Sequence, residues 1–221
     1  SILCQLTNAL WMVGKHDEAV TAARKAVEIA QDLNYTPLVI ASQYNLAMEY
    51  HALANYTETI SIEENILALL SGELETKRFG WSGFPSVFAR TFLGNSLVEL
   101  GQMERAEKEI LRGVHVADKA RHPYSQVMIY DTWGYYLNAV ERFAEARTCL
   151  DTALTICEEF AIPTMIPAVS AKLGEALIGC GEFALAGKVL EQAAQPSCYR
   201  KGGRYTWFYL FKAQADLFLA Q

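Results

Sequence analysis

Four histidines, five cysteines and two adjacent glutamate pairs are the residues of this chain whose types could do chemistry. Their spacing decides against most of it. Gly181 to Gly187-Lys188 imitates a phosphate loop, but five residues separate the glycines where four are needed, and Val189 replaces the Ser or Thr that would hold a cation. His16, His51, His115 and His122 form no HExxH pattern and pair with no cysteine at ligand spacing, so no metal is expected. His16 falls in a turn and His122 precedes Pro123, which predicts exposure for both, whereas His51 falls on a helical stretch where it could line a groove. Cys149 and Cys157, eight residues apart, share one helix face with no close basic neighbour, and read as small buried hydrophobes. The full set of cysteines (4, 149, 157, 180 and 198) is odd in number and lacks a CxxC pair, as expected of reduced thiols in a cytoplasmic protein. No Gly-x-Ser-x-Gly elbow or catalytic triad is present, and Glu63-Glu64 and Glu158-Glu159 read as solvated faces. No catalytic residue, metal or cofactor is therefore expected. The sequons at Asn34 and Asn55 would matter only in a secreted protein.

Composition narrows the class further. The chain is 52% hydrophobic and 20% charged, enough to bury a core. A net charge of −6 repels phosphate, so direct nucleic-acid binding is not expected. The longest apolar runs fall far short of the roughly 18 residues that a membrane span needs. The opening "SILCQLTNAL" has no basic segment or initiator Met, and "ADLFLAQ" ends inside an apolar pattern. Both ends read as cuts, so the expectation is a fragment of a longer polypeptide.

What must position these residues is a repeat. A Leu or Trp followed by a small residue is succeeded by Leu or Tyr three places on, Gly or Ala four further, and Ala or Thr five after that. The series runs Leu6-Thr7, Leu10, Gly14, Ala19; then Leu46-Ala47, Tyr50, Ala54, Thr59; then Leu93-Gly94, Leu97, Gly101, Ala106. It continues Trp133-Gly134, Leu137, Glu141, Ala146 and Leu173-Gly174, Leu177, Gly181, Ala186, and begins again at Ala213-Gln214 and Leu217. Every step is 40 residues except one of 47. Apolar residues at helical spacing, a short turn and a second helix make each unit a helix pair. Gly ends the first helix in a left-handed cap. Ala or Thr lets the second helix approach closely. Pro37, Pro85, Pro123 and Pro163 mark starts of first helices. Units are expected at about 1–34, 35–76, 85–121, 122–162 and 163–200, with a partial unit at 203–221, all in a single domain.

The pattern resembles the tetratricopeptide repeat over nearly the whole chain, with Ile110, Leu150 and Leu190 and then Gly113, Ala153 and Ala193 continuing it along the second helices. The family's period is near 34, and most units lack its closing Pro, so this is a variant. The 40-residue form resembles helical arrays of large bacterial signalling proteins. There the arrays follow a P-loop ATPase module in class III nucleotide (adenylate) cyclases and maltose-type activators. "KRFGWSGFPSVFARTFLGNSLVELG" (77–101) is similar to a segment of the cyclase-linked arrays. The resemblance implies an all-α, right-handed α-solenoid of antiparallel helix pairs, about eleven helices in all.

It also implies a concave wall built from the first helices. The family's contact positions map onto Asn8, Trp11, Tyr44, Met48, His51, Phe88, Thr91, Asn95, Glu99, Asp131, Tyr135, Asn138 and Glu175. Asn offers donor and acceptor together, and Tyr and Trp offer area with a polar tip. The 47-residue step places an insertion within 71–86, where Arg78, Phe79, Trp81 and Phe84 could form a recognition loop or plug back onto the stack. The expected function is a non-catalytic regulatory module. Its partner would be a protein or peptide, or an effector domain of the same chain. The alternatives are a small-metabolite sensor, with an enclosed pocket near Trp11, Tyr44 and Tyr135, and a structural spacer. The apolar "WFYLFKAQADLFLAQ" would also allow an end-to-end dimer.

Overall fold

The computed structural model describes residues 2–195 and 204–220, and the side chains of the last helix from Tyr209 onward. Eleven α-helices lie in these residues, with no strand among them. They are α1 (Ile2–Met12), α2 (His16–Asp32), α3 (Thr36–Ala52), α4 (Tyr56–Leu69), α5 (Pro85–Glu99) and α6 (Met103–Ala120). Then come α7 (Pro123–Ala139), α8 (Phe143–Glu159), α9 (Ile166–Gly179), α10 (Phe183–Ala193) and α11 (Arg204–Ala220). The contacts divide the chain into two compact units, 1–116 and 117–221, with the division inside α6.

The repeat has a direct structural cause. The first helix of each pair ends the same way five times. The amides of Gly14, Ala54, Gly101, Glu141 and Gly181 bond carbonyls three residues back. The amides of the next residues, Lys15, Asn55, Gln102, Arg142 and Glu182, reach back five, to Leu10, Tyr50, Leu97, Leu137 and Leu177. This doubly bonded cap needs a left-handed residue, and φ lies between 58° and 77° at all five positions. Glycine adopts that conformation at no steric cost. Ala54 and Glu141 carry a Cβ there at a cost of roughly 1–2 kcal/mol each.

Past the turn, Ala19, Thr59, Ala106, Ala146 and Ala186 are each fully buried where the second helix meets the first. Four residues later stand Ala23, Glu63, Ile110, Leu150 and Leu190, which are also buried. In the unit of residues 117–221 the packing is tight. A Cβ at Gly134 would lie 2.5 Å from Leu150 Cγ, and one at Gly174 would lie 2.6 Å from Leu190 Cδ2. The small residue of the Leu–small pair is thus the seat of the next helix's large one.

Glu63 breaks this register. The expectation that Glu63-Glu64 form a solvated face is corrected for Glu63, which has no exposed surface and no hydrogen-bond partner at either carboxylate oxygen. It takes the core position that Ile110, Leu150 and Leu190 take elsewhere. Burial pushes its carboxyl well above the ordinary range. A second adjustment concerns Pro163: α9 begins at Ile166, and Pro167 occupies its first turn.

Within residues 1–116 the inserted segment folds back. A 3₁₀ turn at Gly72–Leu74 leads to positive φ at Phe79 and Gly80. Phe79 and Trp81 then pack on the cluster of Ile40, Ile66, Leu70 and Ala89. Phe84 is buried, and Arg78 donates from Nε and Nη2 to the Trp81 carbonyl at 3.1 and 2.9 Å.

Candidate functional site

On the first helices of residues 1–116, Asn8 and Glu99 are exposed, and Trp11, Tyr44 and Asn95 are half-buried. Tyr44 is surrounded by the rings of Trp81, Phe88 and Phe92, at centroid distances of 5.0, 6.0 and 5.6 Å. Met48, His51, Phe88 and Thr91 are buried. The expectation that these four face a ligand is corrected, because each is buried. His51 Nδ1 lies 2.9 Å from Ser96 Oγ, and the ring packs on Phe92 and Tyr56 at 5.3 Å. Burial lowers its pKa to about 4, so the ring is neutral at pH 7. Thr91 Oγ1 donates to the Val87 carbonyl at 3.1 Å.

Two further histidines depart from their expected exposure. His16 Nδ1 lies 2.9 Å from Oε2 of the fully buried Glu49, joining α2 to α3. Burial raises the Glu49 pKa, and the His16 contact opposes this. His122 caps α7, its Nδ1 accepting from the Ser125 amide at 3.3 Å. The cysteine reading fits the geometry: Cys157 is buried, and burial pushes both the Cys149 and Cys157 thiols up to about 12. Cys198 lies outside the described residues. Among those residues no three His, Cys, Asp or Glu side chains gather as a metal site would need.

On α7, α9 and α11 the first helices are tied by a polar ladder. Lys172 Nζ donates to Asp131 Oδ1 and Oδ2 at 2.8 and 3.0 Å, and both residues are buried. Asp131 is thereby a bridge between helices rather than an open contact, which corrects its expected role. Burial alone would lower the Lys172 pKa. The Asp131 carboxylate outweighs it, and Lys172 ends above the ordinary lysine value. The same ammonium stands 4.8 Å from the centroid of the Tyr209 ring. Tyr135 meets Tyr209 edge-on at 6.4 Å. Asn138 Nδ2 donates to the Lys172 carbonyl at 2.9 Å, and Lys212 bridges Glu175 and Asp216. Tyr135, Asn138 and Glu175 stay half-buried along this ladder.

Lys172 and Tyr209 were not legible as site residues. One signal pointed to Lys172: it stands 41 residues after Asp131, one period plus one. The same offset joins Cys4 and Asn45, whose Nδ2 donates to the Cys4 carbonyl at 3.3 Å.

Comparison with solved structures places this helix-pair pattern. A Rap protein complexed with competence and sporulation factor superposes with a TM-score of 0.72 at 13% identity, over 96% of this chain and 52% of that one. The apo form of RapI gives 0.64 at 12% identity, over 97% and 71%. TPR-like repeats of a Podosopora anserina protein of the kinesin light chain type give 0.60 at 21% identity, over 86% and 90%. The chain has the tetratricopeptide-like repeat fold. It spans about half the length of the Rap protein that it matches. No protein-family model and no curated protein matches the sequence. Among the described residues no helix of this repeat fold is long and apolar enough to cross a membrane.

Proposed function

We propose that this chain is a non-catalytic, regulatory repeat module that binds a protein or peptide on the face of its first helices. One observation carries the reading. Asp131 and Lys172 form a buried ion pair between α7 and α9, bordered by the half-buried Tyr135, Asn138 and Glu175. Desolvating such a pair costs several kcal/mol per ion, and well-packed apolar residues often hold helices together at least as well. Stability alone does not call for it. The pair fixes α7 against α9, and the half-buried Tyr135, Asn138 and Glu175 beside it suit recognition of peptide N–H, C=O and side-chain groups. The Rap protein of this fold, complexed with competence and sporulation factor, supports a ligand-binding role.

The finer reading is a cytoplasmic module of a larger bacterial signalling protein, in which the repeats relay partner binding to an effector such as an adenylate cyclase or an ATPase-linked activator. It rests on the resemblance of residues 77–101 and on the 40-residue period. The repeat boundaries and the single-domain organisation belong to the same proposal. The exposed Phe211 and Phe218 of α11 favour end-to-end self-association as an accessory property. The test is thermal unfolding of the purified chain against panels of short peptides, sugars and nucleotides. A ligand that binds only the folded state raises the midpoint. A saturable shift with a peptide, lost in Tyr135→Ala, supports the proposal. A shift with a sugar or nucleotide alone would replace it with the metabolite-sensor reading.

A further inference from the structure

The second-helix side of residues 1–116 holds a cleft that the first-helix reading does not use. It is a shallow, open cleft of about 520 Å³ lined by Glu75, Arg90, Lys108, Leu111, Arg112, His115 and Val116. Its floor is Arg90, nine-tenths buried. The guanidinium is held from two sides: Nη2 donates to Glu75 Oε1 at 2.9 Å and Nη1 to the Ser86 carbonyl at 3.2 Å. Its Nε has no hydrogen-bond partner, and the nearest acid is Glu109 Oε2 at 3.9 Å. The rim is one face of α6. Lys108, Leu111, Arg112 and His115 follow at helical spacing, and all four are exposed. Arg112 bonds Glu109 Oε1 at 2.6 Å, whereas among the described residues the side chains of Lys108 and His115 meet no ion-pair or hydrogen-bond partner.

Arg90, Lys108 and Arg112 line this cleft with Glu75, and Glu109 beside it pairs with both arginines, which leaves one net positive charge, on Lys108, in a chain whose net charge is −6. Leu111, 44% exposed, and the buried Val116 give it an apolar strip beside the charges. Carboxylates placed beside a branched apolar side chain complement that combination. We infer that the cleft over Arg90 and α6 is a second docking site, which takes an acidic linear peptide segment carrying a leucine-type side chain between its carboxylates. Lys108, Arg112 and His115 receive the acidic groups, Leu111 and Val116 receive the apolar side chain, and Arg90 acts as a positioning residue that fixes the floor. Because Lys108 and Arg112 are exposed, changing them leaves the fold intact.

The experiment uses a fluorescein-labelled peptide of alternating Glu and Leu, its Lys/Leu counterpart, and inorganic phosphate, titrated against the full chain by fluorescence anisotropy, with phosphate as competitor. The acidic peptide is expected to bind, and the basic one not. Affinity is expected to fall at least tenfold in Lys108→Glu and in Arg112→Glu, to fall severalfold in Leu111→Ser, and to change less than twofold in Lys119→Glu. Tyr135→Ala is expected to leave it unchanged, which separates this cleft from the first-helix face. Equal affinity in Lys108→Glu and wild type would overturn the inference. So would loss of binding in Tyr135→Ala alone, or displacement of the labelled peptide by phosphate as effectively as by the unlabelled acidic peptide.

Discussion

Gly134 on α7 is the seat of Leu150 on α8: a Cβ at the glycine would stand 2.5 Å from Leu150 Cγ and Cδ2 and 2.7 Å from Cδ1. Leu150 is fully buried and has nowhere to retreat. Gly134→Ala is expected to destabilise the chain by about 1–3 kcal/mol through overpacking, as read from denaturant unfolding. The double variant Gly134→Ala/Leu150→Ala is expected to lose less than the sum of the two single losses, since the shorter side chain makes room for the new methyl. Additive losses would show that the two residues do not bear on one another.

That pair explains why the fold could be read so far in advance. The small residue of the Leu–small pair and the large residue sixteen places on are two sides of one contact at Gly134–Leu150 and again, 40 residues later, at Gly174–Leu190. The five capped turns were legible for the same reason, because their backbone geometry is repeated residue by residue. Glu63 was not legible. A glutamate in a helix reads as solvated, and only the register shared with Ile110, Leu150 and Leu190 reveals its burial. The first-helix wall was legible as a set of positions and less so as a surface. His51, Phe88 and Asp131 sit where neighbouring helices or the inserted segment cover them, a tertiary fact that no local spacing encodes.

Glu63 is expected to cost stability at neutral pH. Its folded pKa is raised by burial above an ordinary value of 4.5. The group's favourable contribution is therefore complete below about pH 4.5 and is lost as pH rises toward the folded value, at up to about 1.4 kcal/mol per unit. Glu63→Met is expected to gain about 1–3 kcal/mol at pH 7 and to remove this loss. Methionine suits the site better than leucine, because Ala47 carries a methyl where Gly134 has none. A Glu63→Met protein less stable than wild type at pH 7 would count against the neutral buried carboxyl.

His51 acts in the opposite sense. Its folded pKa is lowered by burial from 6.5 to about 4. The unfolded chain takes up this proton first, so stability is lost as pH falls from about 6.5 to about 4, by up to about 3 kcal/mol. Between about pH 4.5 and 6.5 the two groups offset one another, which flattens the wild-type profile. His51→Gln is expected to remove the acid-side loss while keeping a donor for Ser96. Denaturant midpoints at half-unit pH intervals, with and without Glu63→Met, would separate the two contributions. An unchanged acid limb in His51→Gln would contradict this assignment.

The Asp131–Lys172 pair allows stability and recognition to be separated. Asp131→Ala or Lys172→Met alone leaves a buried charge unpaired and is expected to cost about 3–5 kcal/mol. Asp131→Leu/Lys172→Met together are expected to restore wild-type stability within about 1 kcal/mol, or to exceed it, by calorimetry. The repaired protein is expected to be folded and defective in binding. A double variant as unstable as either single one would mean that the pair serves the fold.

Peptide capture tests the central proposal most directly. Peptides selected from a random displayed library against the full chain would be measured by isothermal titration against wild type, Tyr135→Ala and the Asp131→Leu/Lys172→Met protein. Circular dichroism would verify that all three are folded. Binding at the first-helix face predicts that the selected peptides lose at least tenfold in affinity in both variants. Selected peptides that bind all three proteins equally, or a library that yields none while a sugar or nucleotide raises the unfolding midpoint, would contradict it.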